Sequence, residues 1–316
     1  MEEIRKEKYL TDIALDYYNK RMAICNTTRR IHIFSKIIKN NIKEWVEVAS
    51  WDSQDVVFKL QWSHPIYGNL LVSCGLDKLV MIWKEDKDQN GSNWKLLAKI
   101  QDFSDSVEDI SICPRIYGLK LAAVTSNGIL KIFEPTTDYR DYSKWDCLTT
   151  KDINSSGCTS VCWNPSLRDP QTLVVGSKKD CNKLNDGKAQ LIQIFWYNES
   201  KKEYMLASNL EGHSDTVTDV EWVKTHGRDY HLIASTSLDK KVIIWKVDLL
   251  LVKNNQHVNE IKIKYQQILN YKHEQTLWRL SWNNNGMMLS VKGEDRKPLI
   301  FWNVKGRYTK MDIIGE

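Results

Sequence analysis

The sequence predicts an all-β chain built as a six-bladed β-propeller, and three observations carry that prediction. A short strand ending in a large aromatic recurs six times. The recurrence interval stays near 50 residues. Each copy sits in the same four-strand neighbourhood, which is the pattern of propeller blades.

The six recurring strands alternate β-branched and other residues with a period of two. They are Ile31-His32-Ile33-Phe34, Val80-Met81-Ile82-Trp83, Leu130-Lys131-Ile132-Phe133, Ile192-Gln193-Ile194-Phe195, Val242-Ile243-Ile244-Trp245 and Leu299-Ile300-Phe301-Trp302. By difference of residue numbers, successive closing aromatics are 49, 50, 62, 50 and 57 residues apart. Upstream of each lies an apolar strand with small residues, such as Met22-Ala23-Ile24-Cys25 and Leu232-Ile233-Ala234-Ser235. Before that comes another alternating strand, such as Ile13-Ala14-Leu15-Asp16, Val217-Thr218-Asp219-Val220-Glu221-Trp222 and Leu277-Trp278-Arg279-Leu280-Ser281-Trp282. A fourth strand opened by an aromatic usually follows, at Trp45, Trp94, Trp145, Tyr204 and Tyr308. The expected organisation is one domain over residues 1–316, each blade a four-stranded antiparallel sheet. The blades span approximately 11–51, 55–100, 105–150, 158–210, 213–271 and 273–314.

The side-chain sizes suit this architecture. Inner strands crowd toward a central channel, where Ala, Ser, Gly and Cys fit. The third-strand aromatic fills the wider gap between sheets, and this accounts for thirteen Trp in 316 residues.

Composition narrows the function classes. An apolar fraction of 42% and a charged fraction of 27% are those of an ordinary folded soluble protein. The charged start, Met1 to Lys8, has no apolar stretch behind it and does not read as a signal peptide. Leu249-Leu250-Leu251-Val252 is far too short to span a bilayer, so no transmembrane segment is expected. Seven cysteines, odd in number and set mostly in apolar strands, point to a reducing compartment. The net charge of +5 is mild and contains no basic block, so direct nucleic-acid binding is not expected.

One blade carries a polar signature. Gly212-His213, Ser235, Asp239 and Trp245 are the residue kinds that WD-type repeats join into a chain from indole to hydroxyl to imidazole to carboxylate. Such a chain satisfies polar groups that burial would otherwise strand. Blade two keeps Ser73, Asp77 and Trp83, with Asp52 about where the His would stand. Elsewhere Thr28, Asn127 and Arg296 occupy the turn-Asp position. His, Ser and Asp together also spell a catalytic triad. Their fixed offsets to Trp245 and partial repetition in blade two favour the structural reading, so no catalytic residue is assigned.

Other chemistry is bland. Cys158 and Cys162 are four apart, with no second pair and no His at ligand spacing, and read as core thiols and not a metal site. No glycine falls in a phosphate-binding pattern, and no cofactor is expected. Lys178 to Lys188 reads as a surface loop that lengthens blade four.

A typical propeller latches its ends by mixing first and last strands in one blade. Here blade one begins near Asp12 and runs on in order, and blade six completes itself through Ile314. The predicted ring is therefore open, with side faces on blades one and six that need a cover. Residues expected to meet a covering strand are Ile13, Leu15 and Tyr17 on one side and Leu299, Phe301 and Ile313 on the other.

Four stretches resemble a known group: Asp16 to Ala23, Trp62-Ser63-His64-Pro65-Ile66-Tyr67-Gly68, Tyr117 to Ala122, and Leu277 to Asn283. They are similar to the Sec-thirteen/Seh-one family of WD-repeat propellers, over about Thr11 to Ile314. The resemblance implies an open six-bladed propeller that an α-solenoid protein completes by inserting a blade in trans. Gly128 to Pro135 leading to Ser143-Lys144-Trp145, Cys162-Trp163-Asn164-Pro165 before a long insertion, and Gly227 to Ala234 look Seh-like. That branch implies a non-catalytic scaffold subunit of the nuclear-pore Y-complex, among other nucleoporin or coat subunits, or of a nutrient-signalling coat at the vacuole or lysosome. The Sec-like branch implies the COPII outer coat at ER exit sites. A free-standing propeller that reads short peptides is the rival from another class. The chain departs from the family at Val291 to Pro298, where an extra residue and a Pro replace the usual tight turn.

Overall fold

A computed structural model describes residues 9–39, 42–88, 91–136, 141–180, 190–224, 228–254, 257–295 and 297–311. Among these residues twenty-four strands form six four-stranded antiparallel sheets, and the fold class is a six-bladed β-propeller. Each sheet takes four consecutive strands in order. Blade one is β1 (Leu10–Leu15), β2 (Arg21–Asn26), β3 (Arg30–Lys39) and β4 (Ile42–Asp52). Blade two is β5 (Val57–Trp62), β6 (Leu70–Gly75), β7 (Val80–Asp88) and β8 (Gly91–Ile100). Blade three is β9 (Val107–Ile112), β10 (Leu121–Thr125), β11 (Ile129–Pro135) and β12 (Trp145–Asp152). Blade four is β13 (Cys158–Trp163), β14 (Thr172–Ser177), β15 (Ile192–Asn198) and β16 (Glu203–Asn209). Blade five is β17 (Val217–Trp222), β18 (His231–Ser237), β19 (Lys241–Asn254) and β20 (His257–Lys272). Blade six is β21 (Leu277–Trp282), β22 (Met288–Gly293), β23 (Leu299–Val304) and β24 (Arg307–Met311). The fold divides into two compact units. One holds residues 1–115, 119–126 and 131–150; the other holds 116–118, 127–130 and 151–316.

In the first unit, the period of two sends alternate side chains to opposite sheet faces. Ala23, Cys25, Ile31 and Ile33 of blade one meet Leu60, Trp62, Leu71 and Trp83 of blade two. The other face of blade two, with Val72, Val80 and Ile82, meets Ile110, Leu121, Ala123 and Phe133 of blade three. The second unit repeats the scheme. Ile233, Ile243 and Trp245 of blade five face Val174, Ile192 and Ile194 of blade four. Leu232, Ala234, Val242 and Ile244, one position out of phase, face Leu289, Val291 and Phe301 of blade six.

In blades one, two, three and five the turns between second and third strands share one device. A left-handed residue sits at the turn: Arg29 (φ 66), Lys78 (φ 60), Gly128 (φ 86) and Lys240 (φ 68). A neighbouring carboxylate or amide caps the turn amides. Asp77 accepts Leu79 N–H at 3.1 Å, and Asp239 accepts Lys241 N–H at 3.0 Å. In blade one the capping group is Asn26, which accepts the amides of Thr28 and Arg30, and not Thr28 itself. Gly128 is required for a second reason: a Cβ there would stand 1.6 Å from the carbonyl oxygen of Asn154.

Each blade's first strand is a sheet edge, whose outward backbone groups need partners. Within the first unit, Asp12 of β1 accepts Leu60 N–H at 2.8 Å, and Gln61 of β5 accepts Ile112 N–H at 2.8 Å. Within the second, Cys162 Sγ accepts Trp222 N–H at 3.3 Å. Asp219 accepts Leu280 N–H at 3.0 Å, and Glu221 accepts Trp282 N–H at 2.9 Å. Within each unit, successive inner strands are thus stitched by a side chain of one blade onto the backbone of the next.

Candidate functional site

The blade-five relay is fully assembled. Trp245 Nε1–H donates to Ser235 Oγ at 2.9 Å, and Ser235 Oγ lies 2.8 Å from His213 Nε2. His213 Nδ1 lies 3.1 Å from Asp239 Oδ2, which also accepts Ser214 N–H at 2.9 Å. One proton arrangement satisfies every member. Since Ser235 accepts from the indole, its hydroxyl proton goes to Nε2, and Nδ1–H donates to Asp239. Gly212 precedes His213 because a Cβ there would meet Trp245 at 2.9 Å. Burial disfavours the Asp239 anion. The His213 hydrogen bond and its electrostatic attraction, with the amides of Ser214 and Lys241, outweigh that and hold its carboxyl at about 2.

The order Ser–His–Asp is also that of a hydrolytic triad. Ser235, however, is fully buried, and its oxygen already accepts the Trp245 indole. No carbonyl carbon can approach it, so the arrangement serves as a brace between the loop before β17, the β18–β19 turn and the β19 aromatic.

Blade two holds half of this device. Trp83 Nε1–H donates to Ser73 Oγ at 2.9 Å, while Asp77 caps its own turn. Burial raises the Asp77 pKa, partly offset by the Leu79 amide. Asp52 does not replace the imidazole: its exposed side chain lies 3.8 Å from Arg30. Instead Trp51 packs against Trp83 at a tilt of 48°, with ring centres 5.2 Å apart. Arg296 lies outside the described residues.

Cys158 and Cys162 do not converge on a metal. Cys158 is wholly buried, and burial pushes its thiol up to about 12, while Cys162 faces the Trp222 amide. Among the described residues no group of three or more His, Cys, Asp or Glu is placed to hold a metal ion. No described helix is long and apolar enough to cross a membrane.

The residues expected at a partner surface divide. On β1, Asp12 and Ala14 face blade two, where Ala14 O accepts the Trp62 indole. Ile13 and Leu15 therefore point the other way, 49% and 51% exposed, and Tyr17 is exposed on the following turn. On blade six the expectation needs correction. Leu299 and Phe301 lie in the core facing blade five, and Phe301 is 0% exposed. The cause is a one-residue slip in phase, which exchanges the two faces of a strand. Leu289 pairs with Phe301 as Ile233 pairs with Trp245, so Phe301, and not Trp302, is the structural equivalent of the Trp245 aromatic. The face turned away from blade five carries Ile300, Trp302 and Met311, with Trp302 41% exposed. Ile313 lies outside the described residues.

The sequence reading missed the inner-strand stitches. Their signal was a polar residue at every second position of an otherwise apolar first strand, as in Asp219 and Glu221.

Four-stranded repeats with a Trp–Ser–His–Asp brace define a WD-repeat β-propeller, and the family model for the WD domain, G-beta repeat, matches residues 205–246. Nucleoporin SEH1-A of Xenopus laevis is 29% identical over 293 residues, covering 90% of this chain and 79% of the relative. Nucleoporin SEH1 of Danio rerio is 29% identical over 294 residues, covering 90% and 78%. Nucleoporin SEH1 of Homo sapiens is 27% identical over 291 residues, covering 90% and 79%. These similarities, with the WD repeat, support a SEH1-like family of WD-repeat proteins for this chain.

Proposed function

We propose that the chain is a non-catalytic scaffold nucleoporin of the nuclear-pore Y-complex, acting as an open propeller that an α-solenoid partner completes by adding a blade. The observation that carries this reading is strand order. Among the described residues β1–β4 make one sheet and β21–β24 another, and no sheet mixes strands of blade one with strands of blade six. A ring not latched in that way needs its end faces covered from outside, and strand addition is the economical cover. The exposed Ile13 and Leu15 of β1, and Trp302 and Met311 of blade six, are suited to that contact. The nucleoporin relatives favour the pore over ER exit sites or the vacuole. On this reading residues 1–316 act as one propeller domain.

The test is affinity purification of the tagged full chain beside Leu15→Asp. Leu15 is half exposed in the chain alone, so the variant folds. Only docking would bury an unpaired carboxylate. The wild type should retain a solenoid protein and mark the nuclear rim, and the variant should lose both. Equal retention by the variant, or wild-type staining confined to ER exit sites, overturns the reading.

A further inference from the structure

At one end of blade one, β3 and β4 run past the rest of their sheet. Pairing of β2 with β3 stops at Arg21 and Ser35, whereas β3 and β4 stay paired as far as Lys39 and Ile42. In this overhang Lys36 pairs with Trp45, and Ile38 with Lys43. Directly opposed residues share a face, and the two pairs are two residues apart, so all four side chains lie on one side. Lys20 joins them, its carbonyl accepting Lys36 N–H at 2.8 Å. The Lys36 ammonium stands 5.7 Å from the centre of the Trp45 ring. Lys20, Lys36 and Lys43 are exposed, and among the described residues none of the three has an ion pair. Ile38 is 66% exposed, and Tyr18, on the turn at the same end of the sheet, is 62% exposed. The acidic residue of the overhang, Glu44, pairs with Ile37 and lies on the opposite face.

We propose that this overhang is a contact for an anionic lipid bilayer surface. Three unneutralised ammonium groups around a projecting isoleucine match a sheet of negative headgroups over an apolar layer. Trp and Tyr, apolar in body and polar at one end, suit the boundary between the two. A nucleic-acid backbone would satisfy the lysines but leave Ile38 in water. The exposed Ile38 side chain therefore favours the bilayer. The overhang shares the sheet face of Leu15, Met22 and Phe34 but lies past the end of β2, so the proposal does not rest on the solenoid reading.

Flotation of the full chain with phosphatidylcholine vesicles, with and without phosphatidylserine, tests it. The wild type should float only with phosphatidylserine vesicles, and less as salt rises toward a Debye length of about 3 Å. Each of Lys36→Glu and Lys43→Glu should weaken binding by about fivefold or more, as expected for loss of one juxtamembrane cation. Ile38→Ser should weaken it while leaving the salt dependence in place. All three positions are exposed, and unchanged thermal melts will show that the variants fold. Failure of the wild type to float with anionic vesicles, or equal flotation of the Lys36→Glu/Lys43→Glu double variant, overturns the proposal. Binding to duplex DNA that is indifferent to Ile38→Ser, without vesicle binding, replaces it with a polyphosphate contact.

Discussion

His213 Nδ1 lies 3.1 Å from Asp239 Oδ2 across 26 residues of chain, joining the loop before β17 to the turn between β18 and β19. Asp239 is the common acceptor there, taking His213 and the amides of Ser214 and Lys241. Asp239→Ala removes the acceptor of all three donors, of which the His213 ring is buried and the Ser214 amide exposed. The cost should be about 1–3 kcal/mol in chemical denaturation, the range for buried groups left unsatisfied. A variant as stable as the parent would mean that the relay contributes nothing to folding.

The same carboxylate makes a pH signature. Its folded pKa is about 2, below the ordinary 3.8, so the folded state favours the anion. That contribution is complete above 3.8 and is lost as pH falls through 2. At about 1.4 kcal/mol per unit it amounts to about 2 kcal/mol. Denaturation midpoints of wild type and Asp239→Asn, compared between pH 5 and pH 2, should converge toward the acid end. A gap that stays constant would show that another group holds the turn.

Ser235 and Ser73 offer an internal comparison. Ser235 joins two partners, the Trp245 indole and the His213 ring, whereas Ser73 is bonded to the Trp83 indole without a ring behind it. Ser235→Ala should therefore cost more than Ser73→Ala by about 1 kcal/mol, the worth of one further buried hydrogen bond. The order of the two melting temperatures reads the result directly, and the reverse order would contradict the relay.

Legibility in the sequence followed the strength of local pattern. The six strand quartets were readable because alternation and the closing aromatic are local signals, and Trp245 with Ser235 at a fixed offset marked the brace. The phase of blade six was not readable. Phe301 and Trp302 are adjacent aromatics, and either could close the repeat by composition. Only the pairing of Leu289 with Phe301 decides which one faces blade five. The inner-strand stitches were hidden for a different reason. They join residues 48 to 61 positions apart, and no local pattern says which backbone amide a carboxylate meets.

Asp219 provides the clearest stitch. It is 5% exposed and accepts the amide of Leu280, itself 8% exposed, in the neighbouring blade. Asp219→Ala leaves that buried N–H without its acceptor, at about 1–3 kcal/mol. The effect should be local as well as global. Hydrogen exchange at the Leu280 amide should accelerate far more than at the blade-four amides. Uniform acceleration across the chain would indicate general destabilisation and not a broken stitch.

The two aromatics at the end of β23 should separate stability from assembly. Phe301 is 0% exposed and packs with Val242, Ile244 and Leu289 between blades five and six. Phe301→Ala removes a filled volume that rigid neighbouring sheets cannot collapse to fill, so it should cost about 3–5 kcal/mol. Trp302, one residue on, is 41% exposed on the opposite face, and Trp302→Ala should change stability by no more than about 0.5 kcal/mol. If blade six offers that face to a partner, Trp302→Ala should nevertheless weaken capture of the solenoid by tenfold or more, since buried Trp anchors commonly carry 2 kcal/mol or more of an interface (about 30-fold). Denaturation of both variants, set beside retention of the partner on the tagged chain, gives two independent readouts. A Trp302→Ala chain that unfolds as easily as Phe301→Ala would place the aromatic in the core after all. One that folds normally and retains its partner at full strength would remove this face of blade six from the interface and leave the contact to Ile13 and Leu15.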